Sequence, residues 1–327
     1  MTRAPSTRQP LSARQSLSPN VLGSLYMVIG SLGYVINDAF IRAATDAGLV
    51  VYQALFIRGI AMTGLFAAFA ATRHRRAQRQ QRQQQPIRAY VLKRPVLIRV
   101  GAEVVSTALF FAALVNLDFA NAQTILMLVP FAVTLVAAVA LGERVTPAHY
   151  LAVGLGFAGV IAVMRPTPDD FSAWSLVVAA SAAGIVVREI ATRSVAADTP
   201  ALPIALVTAV AITTMTGVLT VLTGWNPPTT RALVYLAFAC AFLIVGYVFA
   251  IQTVRVGDLS VSAPFRYSTL VGAVVIGYVA FDESPDALTL VGCALILVAG
   301  LWSTRIDRRH SRAARAQARP TTVSLAE

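Results

Sequence analysis

Residues 122–164 read AQTILMLVPFAVTLVAAVALGERVTPAHYLAVGLGFAGVIAVM, two apolar runs of twenty and eighteen residues parted by a short polar break from Gly142 to Thr146. The formal charges in this stretch, Glu143 and Arg144, both lie in the break. A helix needs about twenty apolar residues to cross about 30 Å of hydrocarbon, so each run is long enough to span a bilayer. Outward in both directions the pattern repeats. Apolar stretches at Val21–Phe40, Val50–Ala71, Val96–Leu117, Ala173–Ile190, Leu202–Thr223, Ala232–Val254, Leu259–Phe281 and Ala287–Trp302 join Ala122–Leu141 and Pro147–Met164 to make ten. Little chain is left for a soluble domain. In lipid a helix satisfies its own backbone groups, and the sequence predicts an all-α membrane protein with ten transmembrane helices.

Composition agrees, since 57% hydrophobic and 13% charged residues do not suit a water-soluble fold. The net charge of +12 would fit nucleic-acid binding if the basic residues shared one face. Their positions exclude that reading. With the N-terminus inside the cell, Arg3, Arg8 and Arg14, the eight cations from Arg73 to Arg94, Arg144, Arg193, Arg255 and the six from Arg305 to Arg319 fall on the cytoplasmic side. Arg42, Arg165 and Arg231 fall outside. This asymmetry predicts a multi-pass protein of the cytoplasmic membrane with both termini cytoplasmic. The first twenty residues have no apolar core of their own, so the first stretch reads as a retained span, not a cleaved signal. Arginine outnumbers lysine 26 to 1, a bias that fits a GC-rich, bacterial genome. Cys240 and Cys293 both fall inside spans, with no metal or redox spacing.

An internal repeat is legible in the charges. Asp38 and Arg42 close the first span, and Glu189 and Arg193 close the sixth with the same spacing. Glu143 follows the fourth span and Glu283 the ninth. The repeats divide the chain into a tail at 1–20, a first unit at 21–165, a second at 172–304 and a basic tail at 305–327. A basic, Gln-rich linker at 72–94 inside the first unit has no counterpart in the second. Five spans per unit is an odd number, so the second unit is expected to be inverted, a common build of secondary transporters with the site between the halves.

Two stretches carry a family likeness. NLDFANAQTILMLVPFAVTLVAAVALGERVTPAHYLAVGLGFAGVIAVMRP, from Asn116, resembles the end of an EamA repeat of the drug/metabolite transporter superfamily, including Pro130 and the Gly142-Glu143-Arg144 turn. SAPFRYSTLVGAVVIGYVAFDESPDALTLVGCALILVAGLW, from Ser262, is similar to the end of the second repeat. The run Pro264 to Tyr267 and the segment Ser31 to Asp38 look most like the branch with riboflavin and S-adenosylmethionine uptake proteins. The resemblance implies ten helices around a central cavity and alternating-access movement of a small metabolite. Two departures stand out: Asp282, where the family usually has glycine, and the long insertion at 73–85.

An ionisable group at the centre of a span costs about 2.5 to 3.5 kcal/mol on insertion scales, so each one needs a partner or a task. Counting from the span edges places Asp38 and Arg58 in one outer layer, where they are positioned to pair. Glu103, Arg188, Glu189 and Arg266 fall in the opposite layer, with Arg99 nearer the edge. Glu103 has no charged mate in the repeat, because its counterpart lies near Ala241, and this asymmetry makes it the first candidate for binding a proton or a cationic group. Arg266 and Tyr267 are candidates for holding an anionic or planar group. Gln53, Gln123, Tyr247 and Gln252 offer polar atoms to a lumen. Glu143 and Glu283 read as acids that fix the repeat turns. Pro130 is expected to break the fourth span, and Gly154, Gly156 and Gly159 to allow close helix packing.

No H-E-x-x-H, G-x-S-x-G or phosphate-binding loop is present, and His74, His149 and His310 are scattered, so the reading includes no enzyme activity, metal or cofactor. The expected partners are a small-molecule substrate, the lipid bilayer and a coupling proton or sodium ion, with no nucleic acid, for a monomer or homodimer. A passive channel or lipid flippase with the same ten helices is the alternative.

Overall fold

The computed structural model describes residues 18–79, 91–140, 146–164, 172–195, 199–256 and 259–317. Glu143, the core of the basic linker and the ends of both tails lie outside them. The described residues are helices joined by short connections, and ten helices are long and apolar enough to cross a membrane. These spans, first to tenth, are Pro19–Asp46, Val51–Thr72, Arg94–Leu114, Phe119–Val139, Pro147–Met164, Ala173–Arg193, Ala201–Thr223, Thr230–Thr253, Ala263–Phe281 and Ala287–Ile306.

The first helix starts where Ser18 accepts a bond from the Val21 amide, with Pro19 preset for the first turn. It continues well past the apolar stretch, to Asp46, before Gly48 turns the chain at φ 104°. Arg42 is thus inside a helix instead of in a loop. The fourth span stops at Leu126 and resumes at Leu128, upstream of Pro130 and not at it. The physical reason is that the proline ring clashes with the carbonyl four residues earlier, which is that of Leu126. In the ninth span a short helix, Leu259–Ser262, gives way to a 3-10 turn, Ala263–Tyr267, and the regular helix restarts at Ser268. Phe119 and Leu259, and Leu128 and Ser268, are separated by the same 140 residues as Glu143 and Glu283. Both halves break this helix at the same place.

Packing follows the same exchange. The first span lies along the eighth and the sixth along the third, while the second lies along the seventh and the fifth along the tenth. Adding five to each span number exchanges the first two of these pairs and returns each of the last two to itself. One apolar core runs through both halves, with Val35, Ile41, Leu55, Phe119, Phe131, Leu270 and Ile296 almost wholly buried. The outward surface is also apolar: Val139, Val221, Leu222 and Val279 are three-quarters or more exposed, which suits lipid and not water.

Close approach is set by small residues. A Cβ on Gly33 would lie 2.9 Å from the Gly246 amide nitrogen, across the first and eighth spans. One on Gly159 would lie 2.7 Å from the Gly292 carbonyl, across the fifth and tenth. Gly156 faces the Phe131 ring, whereas Gly154 has open space beside it. Gly159→Ala is therefore expected to cost about 1–3 kcal/mol by overpacking. Gly154→Ala should stay within about 0.5 kcal/mol of the parent. Thermal unfolding of the two variants in detergent checks the contrast.

Candidate functional site

Three of the sequence candidates meet in a network at one level of the bundle. Asp38 and Asn37 of the first span, Arg58 of the second and Gln123 of the fourth share a chain of hydrogen bonds. Arg58 Nη1 donates to Asn37 Oδ1 at 3.0 Å, Asn37 Nδ2 to Asp38 Oδ1 at 2.8 Å, and Gln123 Nε2 to Asp38 Oδ2 at 2.9 Å. Arg58 also lies over the Phe111 ring of the third span, 5.4 Å from its centre. No ion pair joins Asp38 to Arg58 directly among the described residues; the carboxylate reaches the guanidinium through Asn37. Arg58 is only 9% exposed, so these partners stand where water would otherwise be.

A second level lies nearer the opposite face. Arg188 of the sixth span donates from Nη1 to both carboxylate oxygens of Glu103 on the third, at 3.1 and 2.8 Å, and from Nη2 to Glu189 at 2.5 Å. Two carboxylates thus share one guanidinium, and the group carries a formal charge of −1. Arg99, one turn before Glu103, donates to Thr208 of the seventh span at 3.1 Å. Glu103 and Arg188 keep a fifth to a quarter of their side-chain surface open.

Aromatic rings occupy the space between these levels. Tyr34 is one helical turn before Asp38, about 6 Å along the axis, on the same face. Its ring meets that of Tyr247 edge-on at 5.7 Å, and Tyr247 meets Phe66 in the same way at 5.7 Å. Tyr247 is 40% exposed. The rings are thus accompanied by an acid, an amide and two guanidinium-centred networks.

The remaining candidates lie elsewhere. Tyr267 is buried against Gly300 of the tenth span, and Arg266 is exposed on the 3-10 turn, where neither cluster includes it. Gln53 exchanges two bonds with the backbone of Asn226, at 2.7 and 3.2 Å, and so ties the second span to the connection before the eighth. Glu283 joins the halves: it pairs with Arg42 at 2.8 Å and accepts the amides of Phe119 and Ala120 at 2.7 and 3.2 Å, capping the fourth span. Arg42 also donates to the Leu117 carbonyl at 2.9 Å and lies 4.7 Å from the centre of the Phe281 ring. Sequence reasoning missed Asn37, Tyr34 and Phe66, although the spacing of Tyr34 from Asp38 was a usable signal.

Ten helices long and apolar enough to cross a membrane, with partnered charges between them, make a multi-pass membrane protein. Residues 21–165 match the EamA-like transporter family. The chain is 28% identical to a riboflavin transporter of Rhizobium johnstonii over 68% of this chain and 72% of that one. A pseudopaline exporter, CntI, of Pseudomonas aeruginosa is 27% identical over 61% and 70%. An S-adenosylmethionine uptake transporter of Rickettsia prowazekii is 22% identical over 56% and 62%. A solved crystal structure described only as that of a protein matches 88% of this chain and 98% of its own at a TM-score of 0.59 and 20% identity, which supports the fold alone.

Removing one member of a buried charged network costs about 3–5 kcal/mol, more than removing both. Asp38→Asn and Arg58→Gln are each expected to lower the unfolding midpoint more than the double variant does, and a double-mutant cycle on the purified protein measures the coupling through Asn37. Asp282 adopts a left-handed conformation, φ 55°, as the ninth span turns back on the Gly277 carbonyl. That conformation explains why glycine suits the position. Asp282→Gly should stabilise the protein by roughly 0.5–1 kcal/mol, read as a higher unfolding midpoint.

Proposed function

We propose that the chain is a secondary active transporter that moves a small polar metabolite, of amino-acid, flavin or S-adenosylmethionine type, across the cytoplasmic membrane by alternating access. Two inverted five-span halves, residues 21–165 and 172–304, rock about a site between them, with both termini cytoplasmic. The matching helix breaks and the exchange of span pairings support this plan. One observation carries the functional reading: two charged levels, Asp38–Arg58–Gln123 and Glu103–Arg188–Glu189, lie between membrane spans with the Tyr34–Tyr247–Phe66 rings between them. A substrate held on the rings competes for the polar partners of one level at a time, and either end then opens in turn. Glu103 exchanges its partner Arg188 for a proton, a sodium ion or a cationic substrate group during the cycle. The relatives include uptake proteins and an exporter, so direction is a property of this chain and not of its family.

The test is purified protein in liposomes, screened for saturable counterflow of flavins, amino acids, nucleosides and cationic metabolites. Glu103→Gln keeps shape and hydrogen bonding but removes the charge. Driven transport by this variant is expected to fall at least about tenfold, the equivalent of about 1.4 kcal/mol, while insertion stays normal. Wild-type rates with an unchanged pH profile would reject the role given to Glu103, and flux without saturation would reject the carrier.

A further inference from the structure

Between the third, fourth and sixth spans an apolar groove of about 640 Å³ opens sideways on the bundle. Pro95, Ile98, Val136, Ala183, Val187 and Ile190 line its walls, and Arg94 and Ser194 stand at its end. From Ala183 to Ser194 the sixth helix rises about 16 Å, close to half of a hydrocarbon core about 30 Å thick. The groove is therefore one leaflet deep, and the mouth is at the membrane surface. Ile98 and Val187 are about half exposed there. Arg94 is exposed and makes no ion pair or hydrogen bond among the described residues. It starts the third span after Lys93, whose side chain does not cap the helix, so the positive end of the helix dipole adds to its charge.

We infer that this groove is a binding site for an anionic membrane phospholipid, one acyl chain lying along Ile98, Val136 and Val187 and the phosphodiester headgroup held at Arg94. Depth fixes the class of occupant: a water-soluble metabolite has no use for apolar walls one leaflet deep. Charge fixes the headgroup, because a basic pocket between spans selects anionic over zwitterionic lipid. The third and sixth spans carry Glu103 and Arg188 on another face, outside the groove lining.

The experiment uses the full chain in bilayers of phosphatidylcholine doped with a photoactivatable phosphatidylglycerol or, separately, a phosphatidylcholine with the same diazirine-bearing chain. Mass spectrometry then maps the labelled residues. The phosphatidylglycerol probe is expected to label the segments around Ile98 and Val187 about fivefold more than the phosphatidylcholine probe, the discrimination due to one basic side chain near the surface. Arg94→Gln should abolish that preference, and Ala183→Leu, a change at an exposed wall position, should cut labelling by both probes. Equal labelling of the wild type by the two probes overturns the assignment, as does a preference that survives Arg94→Gln. Loss of labelling when transported solutes are added also overturns it, because the groove would then be a substrate portal. The readout is lipid occupancy and not flux, so the outcome is independent of the transport reading.

Discussion

A guanidinium in hydrocarbon cannot shed its charge at any physiological pH, and the bundle is organised around that constraint. Arg188 takes two carboxylates, Arg58 an amide and a ring, and Arg42 a carboxylate, a carbonyl and a ring. In two of the three cases the decisive partner comes from the other half of the chain. Separating the third span from the sixth, or the first from the connection after the ninth, would strand a charge in lipid. Helix pairs that apolar packing alone would let slide are thereby held in one register.

Within that register the backbone approaches as closely as glycine permits. Gly33 against Gly246 and Gly159 against Gly292 bring helices together where lipid tails would otherwise compete equally well for the side chains. Hydroxyls follow the same economy. Thr208, Thr216 and Thr220 bond to carbonyls one turn back on the seventh span, and Thr213 also meets Thr63 across the second at 3.0 Å. Polar side chains of the seventh span are thus satisfied within the bundle.

Hydropathy made the ten spans legible because burial in lipid needs only length and composition. Span ends were less so: the first helix outran its apolar stretch because Glu283 neutralises Arg42, a partner 241 residues away. Depth along a span can be counted from its edges, and this placed Glu103, Arg188 and Glu189 at one level and Asp38 and Arg58 at another. Azimuth cannot be counted in the same way. It depends on which helix packs alongside, and so Asn37 as the bridge, the Tyr34–Tyr247 contact and the turn of Tyr267 toward Gly300 were hidden in the sequence. The left-handed Asp282 was also hidden, since a family departure shows that a residue differs and not what conformation it must adopt.

One carboxylate, that of Glu283, holds Arg42 and two amides at the start of the fourth span. Bonds gathered on a single group do not break one by one at small cost. A displacement large enough to lose the ion pair also uncaps a helix, so partly parted geometries are poor in energy compared with either the joined or the fully hydrated arrangement. Such a junction behaves as a switch and not as a spring. For the folded bundle the consequence is all-or-none cohesion: the end of the first span, the start of the fourth and the turn after the ninth come apart together or stay together.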